Sequence, residues 1–85
     1  MIDIKKVEKL FDTFLDYFEK EYQNDFYDDL CEIGDVEIIP TSDTTADIIV
    51  YAMWKDTWHY DETQNKIFGY YCNNAYWRRY QELKF

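Results

Sequence analysis

The chain has 85 residues, 47% hydrophobic, 21% aromatic and 32% charged, with a net charge of -9. That length supports one hydrophobic core and the apolar content is ample to fill it, so we expect a single domain over residues 1–85 and not a disordered chain. The charge argues against direct contact with DNA, RNA or an anionic membrane, and no apolar run approaches the ~20 residues that span a bilayer.

At the N-terminus, MIDIKKVEKL interleaves charges where a secretory leader needs an uninterrupted apolar segment, so the expected location is the cytoplasm. Ile4, Val7, Phe11, Phe14, Leu15, Phe18 and Tyr22 fall in one stripe at ~100° per residue, which predicts an amphipathic helix from about residue 3 to 23. A second, shorter helix is predicted to start at the capping residue Asn24 or Asp25 and to stop at Gly34, with Phe26, Leu30 and Ile33 as its apolar edge.

Beyond Gly34 the period changes. VEII at 36–39 reads as a short strand closed by Pro40, and TSDTTAD at 41–47 as a polar loop. DIIVYAMW at 47–54 is apolar at both even and odd positions, as expected of a central strand with something covering each face. TWHY at 57–60 and KIFGYYC at 66–72 predict two more strands joined by the turn-forming DETQN. Last, NNAYWRRYQELKF offers an asparagine cap followed by Tyr76, Tyr80 and Leu83 at helical spacing. The expected fold class is therefore α+β: two N-terminal helices, an antiparallel three- to four-stranded sheet and a short C-terminal helix.

Charge is distributed unevenly along these elements. Residues 1–47 hold 14 acidic against 4 basic groups, a balance of -10, whereas residues 48–85 hold 4 against 5, a balance of +1. On the first helix Glu8, Asp12, Asp16 and Glu19 share one side, where Lys5, Lys9 and Lys20 can offset Glu8, Asp12 and Asp16. On the second predicted helix Glu21/Asp25, Asp25/Asp29 and Asp28/Glu32 are like-charge pairs with no local cation. Capping and the helix dipole account for Asp25, Asp28 and Asp29 in a first turn, but not for Glu32 near its end, nor for Asp35 and Glu37 in the next strand. Plain solubility for an aromatic-rich chain is the bland explanation. The functional one makes Glu8, Asp12, Asp16, Glu19, Glu21, Asp25, Asp28, Asp29, Glu32, Asp35 and Glu37 a ribbon of carboxylates that imitates nucleic acid before a basic protein.

In this layout, with EYQNDFYDDLCEIGDVE followed by ADIIVYAMW, the chain resembles the small acidic inhibitors made by phages, such as the anti-CRISPR proteins and the uracil-DNA glycosylase inhibitor. The resemblance implies a mode of action: binding the nucleic-acid groove of a bacterial defence or repair protein, inside the bacterial host cell. No family motif is matched, and no residue role is carried over.

Two alternatives stand beside it. One is an immunity protein that neutralises a basic toxin or nuclease. The other is an oligomeric scaffold, since the even and odd positions of residues 48–54 cannot all face one helix layer and one sheet face is left to Tyr, Trp and Met. Either a monomer or a homodimer is compatible with this pattern.

Sharper chemistry finds little footing. His59 with Asp56, Asp61 and Glu62 lacks an oriented nucleophile, so no enzyme is expected. Cys31, His59 and Cys72 lack zinc-ligand spacing, and two cysteines in these elements favour reduced thiols. DETQNK has Lys66 where a calcium loop needs glycine. Neither a metal nor a cofactor is expected. Arg78 and Arg79 are too few for a nucleic-acid patch and are expected to bridge to the acidic half.

Overall fold

The computed structural model describes residues 1–21, 34–51, 55–73 and 77–85, with side chains at all of these except 18–21, 71–73 and 77–79. It contains helix α1 (Ile4–Glu21) and five strands: β1 (Asp35–Pro40), β2 (Thr45–Tyr51), β3 (Lys55–Asp61), β4 (Lys66–Asn73) and β5 (Trp77–Lys84). The strands form one sheet in the order β1-β2-β3-β4-β5, every neighbouring pair antiparallel. Each strand therefore lies beside its neighbour in sequence.

Helix α1 starts at an Asp3 cap, whose carboxylate accepts hydrogen bonds from the Lys5 and Lys6 backbone N–H groups. Its stripe of Val7, Phe11 and Phe14 is buried on one face of the sheet. There it meets Ala46, Ile48 and Val50 of β2, Trp58 and Tyr60 of β3, and Ile67 of β4. Phe14 packs edge-on to Trp58 with ring centroids 4.9 Å apart, and Phe11 stacks on Phe14 at 5.7 Å.

The period-2 alternation of the strands then assigns every other residue to the opposite face. On β2, Ala46, Ile48 and Val50 are buried, while Asp47, Ile49 and Tyr51 are half-buried or exposed. The double-sided apolarity of this strand thus serves two surfaces: the even positions meet the helix and the odd ones form part of an open face.

The expected fold class is corrected on two counts. Five strands, not three or four, make the described chain mostly sheet, and Trp77–Lys84 is a strand paired along its length with β4 and not a C-terminal helix. Tyr80 and Leu83 satisfy helical spacing, but they also sit at opposite parities of a strand, and pairing with β4 decides between the two. Among the described residues there is one N-terminal helix; the second, expected over about 24–34, lies outside them.

Candidate functional site

Of the carboxylates expected to meet a partner, Glu8, Asp12 and Asp16 are exposed on one flank of α1. Glu8 and Asp12 line a shallow groove of about 360 Å³ with Phe11, Leu15 and Val36, between the helix and edge strand β1. The groove has an apolar floor and an acidic rim. The expected offsets from Lys5 to Glu8 and from Lys9 to Asp12 are not formed, and that from Lys20 to Asp16 lies outside the described side chains. Among the described residues the ion pairs within 4 Å are His59–Asp47 and Lys66–Glu82, and neither involves α1. On the other flank Lys5, Lys6 and Lys9 gather with Asp3 and Leu10, so the cations of α1 line a separate hollow.

Asp35 and Glu37 do not join that flank. Register pairs Asp35 with Tyr51 and Glu37 with Ile49, on the sheet face away from the helix, while Val36 between them pairs with Val50 on the helix side. Glu19 and Glu21 belong to α1, with side chains outside the described residues; Asp25, Asp28, Asp29 and Glu32 lie outside them altogether. The described part of the ribbon is therefore split between two faces by the alternation of β1, which the sequence reading did not apply to it.

The face opposite α1 is a second candidate surface. Across its middle run Ile39, Asp47, His59, Phe68 and Glu82, one from each strand in turn. Tyr51, Tyr70 and Tyr80 stand on the same face and are 40%, 51% and 44% exposed. The Tyr70 and Tyr80 rings meet edge-on at 5.5 Å, Phe68 lies 6.4 Å from Tyr80, and His59 lies 5.4 Å from Phe68. These rings form a continuous aromatic row across β3, β4 and β5.

Polar groups bind this row together. His59 Nδ1 lies 2.8 Å from Asp47 Oδ1 across the β2–β3 pair, so the partner of His59 is Asp47 and not one of the acids nearest it in sequence. The Tyr80 hydroxyl donates to Glu82 Oε2 at 2.9 Å, and Lys66 Nζ donates to the same oxygen at 3.4 Å while lying 4.8 Å above the Phe68 ring. The Tyr80 hydroxyl first, then Lys66, hold the Glu82 carboxyl below its ordinary range. Partial burial first, then the neighbouring Glu82, raise the Tyr80 phenol above its own. Lys55 Nζ lies 5.9 Å over the Tyr51 ring.

Sequence reading anticipated an aromatic face from β2 but not the part played by β5. Its signal was the alternation of Tyr80, Glu82 and Lys84 with Gln81 and Leu83. Bridges from Arg78 and Arg79, and the state of Cys31 and Cys72, lie outside the described side chains. Among the described residues no group of three His, Cys, Asp or Glu could hold a metal ion, and no helix is long and apolar enough to cross a membrane. No family model, curated protein or solved structure matches this chain.

Proposed function

We propose that this protein is an acidic inhibitor that binds the basic nucleic-acid-binding groove of another protein in the bacterial cytoplasm, a binding protein and not a catalyst. The observation that carries the reading is the exposed run Glu8, Asp12 and Asp16, which has no cation within ion-pair distance among the described residues. Steps of four residues advance about 6 Å along a helix. Phosphates recur every ~3.4 Å of axis per strand, so lysines and arginines spaced for a nucleic-acid backbone can also meet these carboxylates. Beside them the floor of Phe11, Leu15 and Val36 offers apolar contact for the stem of an arginine or lysine, whose charged head then meets Glu8 and Asp12.

The test is capture on the immobilised chain from bacterial lysate at about 50 mM salt, followed by a salt step and by competition with duplex DNA. Capture that neutralises several charges should fall steeply by about 200 mM salt, and DNA should displace the captured protein. The variant Glu8→Lys/Asp12→Lys/Asp16→Lys should lose capture with its far-UV circular dichroism unchanged. Capture that survives this triple reversal, or that DNA does not displace, overturns the proposal.

A further inference from the structure

The open sheet face is too apolar and too well organised to be accounted for by the acidic flank of α1, which lies on the other side of the sheet. We propose that it is a self-association surface: two copies of the chain pack sheet to sheet through Tyr51, Phe68, Tyr70 and Tyr80, leaving both α1 helices outward.

Charge selects a second copy as the occupant. Among the described side chains of this face the carboxylates Asp35, Glu37, Asp47, Asp61 and Glu82 stand against Lys55, Lys66 and Lys84, a balance of -2 on a chain whose net charge is -9. Two such chains repel one another over most of their surface, and on this face, where lysines offset most of the acids, the penalty of approach is small. The charges at its corners are also arranged to be self-complementary. Asp35 and Glu37 occupy the corner where β1 begins, and Lys66 and Lys84 occupy the diagonally opposite corner, where β5 ends. A two-fold axis along the other diagonal lays the acidic corner of each copy over the lysine corner of its partner, with the strands of the two sheets crossing near 90°. The Tyr70 and Tyr80 pair, on β4 and the edge strand β5, then falls within the contact, with Tyr70 close to the axis.

Area sets the strength. Five strands ~4.8 Å apart and about seven residues long, at ~3.3 Å each, present roughly 500–550 Å². Two faces together give about 1,000–1,100 Å², at the floor for a specific interface. The dimer is therefore weak and reversible.

Sedimentation equilibrium of the full chain tests this from micromolar concentration up to about 1 mM, the edge of measurable association. A concentration-dependent monomer–dimer equilibrium is expected. Tyr70→Ser/Tyr80→Ser should raise its dissociation constant about tenfold or more, as loss of aromatic anchors at an interface does. Asp35→Lys should weaken the dimer by setting a lysine against Lys84, and Asp35→Lys/Lys84→Glu, two exposed positions whose exchange restores the net charge, should recover it. A strict monomer over that range overturns the proposal, including one whose open face is instead saturated by an oligonucleotide or another protein. So does a dimer indifferent to the charge exchange, an outcome that holds even if the tyrosine variant fails to fold.

Discussion

Gly69 and Tyr60 show how little slack the core beneath the helix has. Gly69 lies directly opposite Trp58 in the β3–β4 register, and a Cβ placed there would come within 2.7 Å of Trp58 Cε3 and 3.3 Å of the Thr57 carbonyl oxygen. The glycine is required by this close approach of backbone to indole, for the ring is buried and has no free side to move into. Gly69→Ala should cost about 1–3 kcal/mol by overpacking, measured as a lower urea midpoint. Tyr60 should behave in the opposite sense. Its hydroxyl is buried with no hydrogen-bond partner among the described residues, so Tyr60→Phe should leave the midpoint unchanged or raise it. A marked loss in Tyr60→Phe would mean that the hydroxyl is satisfied after all.

At the scale of elements, the β3–β4 turn does more than reverse the chain. Asp61 accepts hydrogen bonds from the Thr63 hydroxyl at 2.6 Å and backbone N–H at 2.9 Å, and from the Gln64 backbone at 3.3 Å and side chain at 3.0 Å. Asn65 takes the left-handed conformation, φ 50°, that asparagine tolerates. Its side chain donates to the Phe85 carbonyl at 2.7 Å, and its own carbonyl accepts from the Phe85 N–H at 2.8 Å, which latches the end of β5 to the turn. The Thr63 hydroxyl chiefly holds the Asp61 carboxyl below its ordinary range. A depressed folded value means that the contribution is complete above the unfolded pKa, about 3.9, and is lost as pH falls through the folded one. Asp61→Asn should therefore melt lower than the parent at pH 7, with the difference narrowing toward pH 2. A constant difference across that range would show that the charge of Asp61 is immaterial to the turn. The turn was legible in DETQN, and α1 and β1 to β4 in their periods, because local spacing and turn chemistry determine them, although β2 begins at Thr45, inside the stretch expected as loop. Strand β5 was not. Tyr76, Tyr80 and Leu83 fit helical spacing, and only pairing with β4, a non-local fact, sends Tyr80 and Leu83 to opposite faces of a strand. The acidic flank was legible at Glu8, Asp12 and Asp16 for the same periodic reason. Its extension to Asp35 and Glu37 failed because a strand turns alternate residues away.

For the molecule as a whole, the same carboxylates should lower fold stability and raise affinity for a cationic partner, so salt should move the two in opposite directions. Glu8/Asp12 and Asp12/Asp16 are like-charge i,i+4 pairs worth about 0.2–0.5 kcal/mol of repulsion each, within a chain whose net charge of -9 repels itself throughout. Raising salt from about 10 mM to 150 mM shortens the screening length from ~30 Å to ~8 Å, so the melting temperature of the parent chain should rise over the interval in which partner capture is lost. Each neutralisation adds one charge, so Glu8→Gln/Asp12→Asn/Asp16→Asn brings the net charge from -9 to -6 and removes both like-charge pairs. If the flank exists to meet a partner, this variant should melt higher than the parent at low salt, and the gap should close at high salt. If the flank served the fold instead, the variant would melt lower at both. Thermal unfolding of the two chains at the two salt concentrations thus separates a surface kept for binding from one kept for stability, before any partner is in hand.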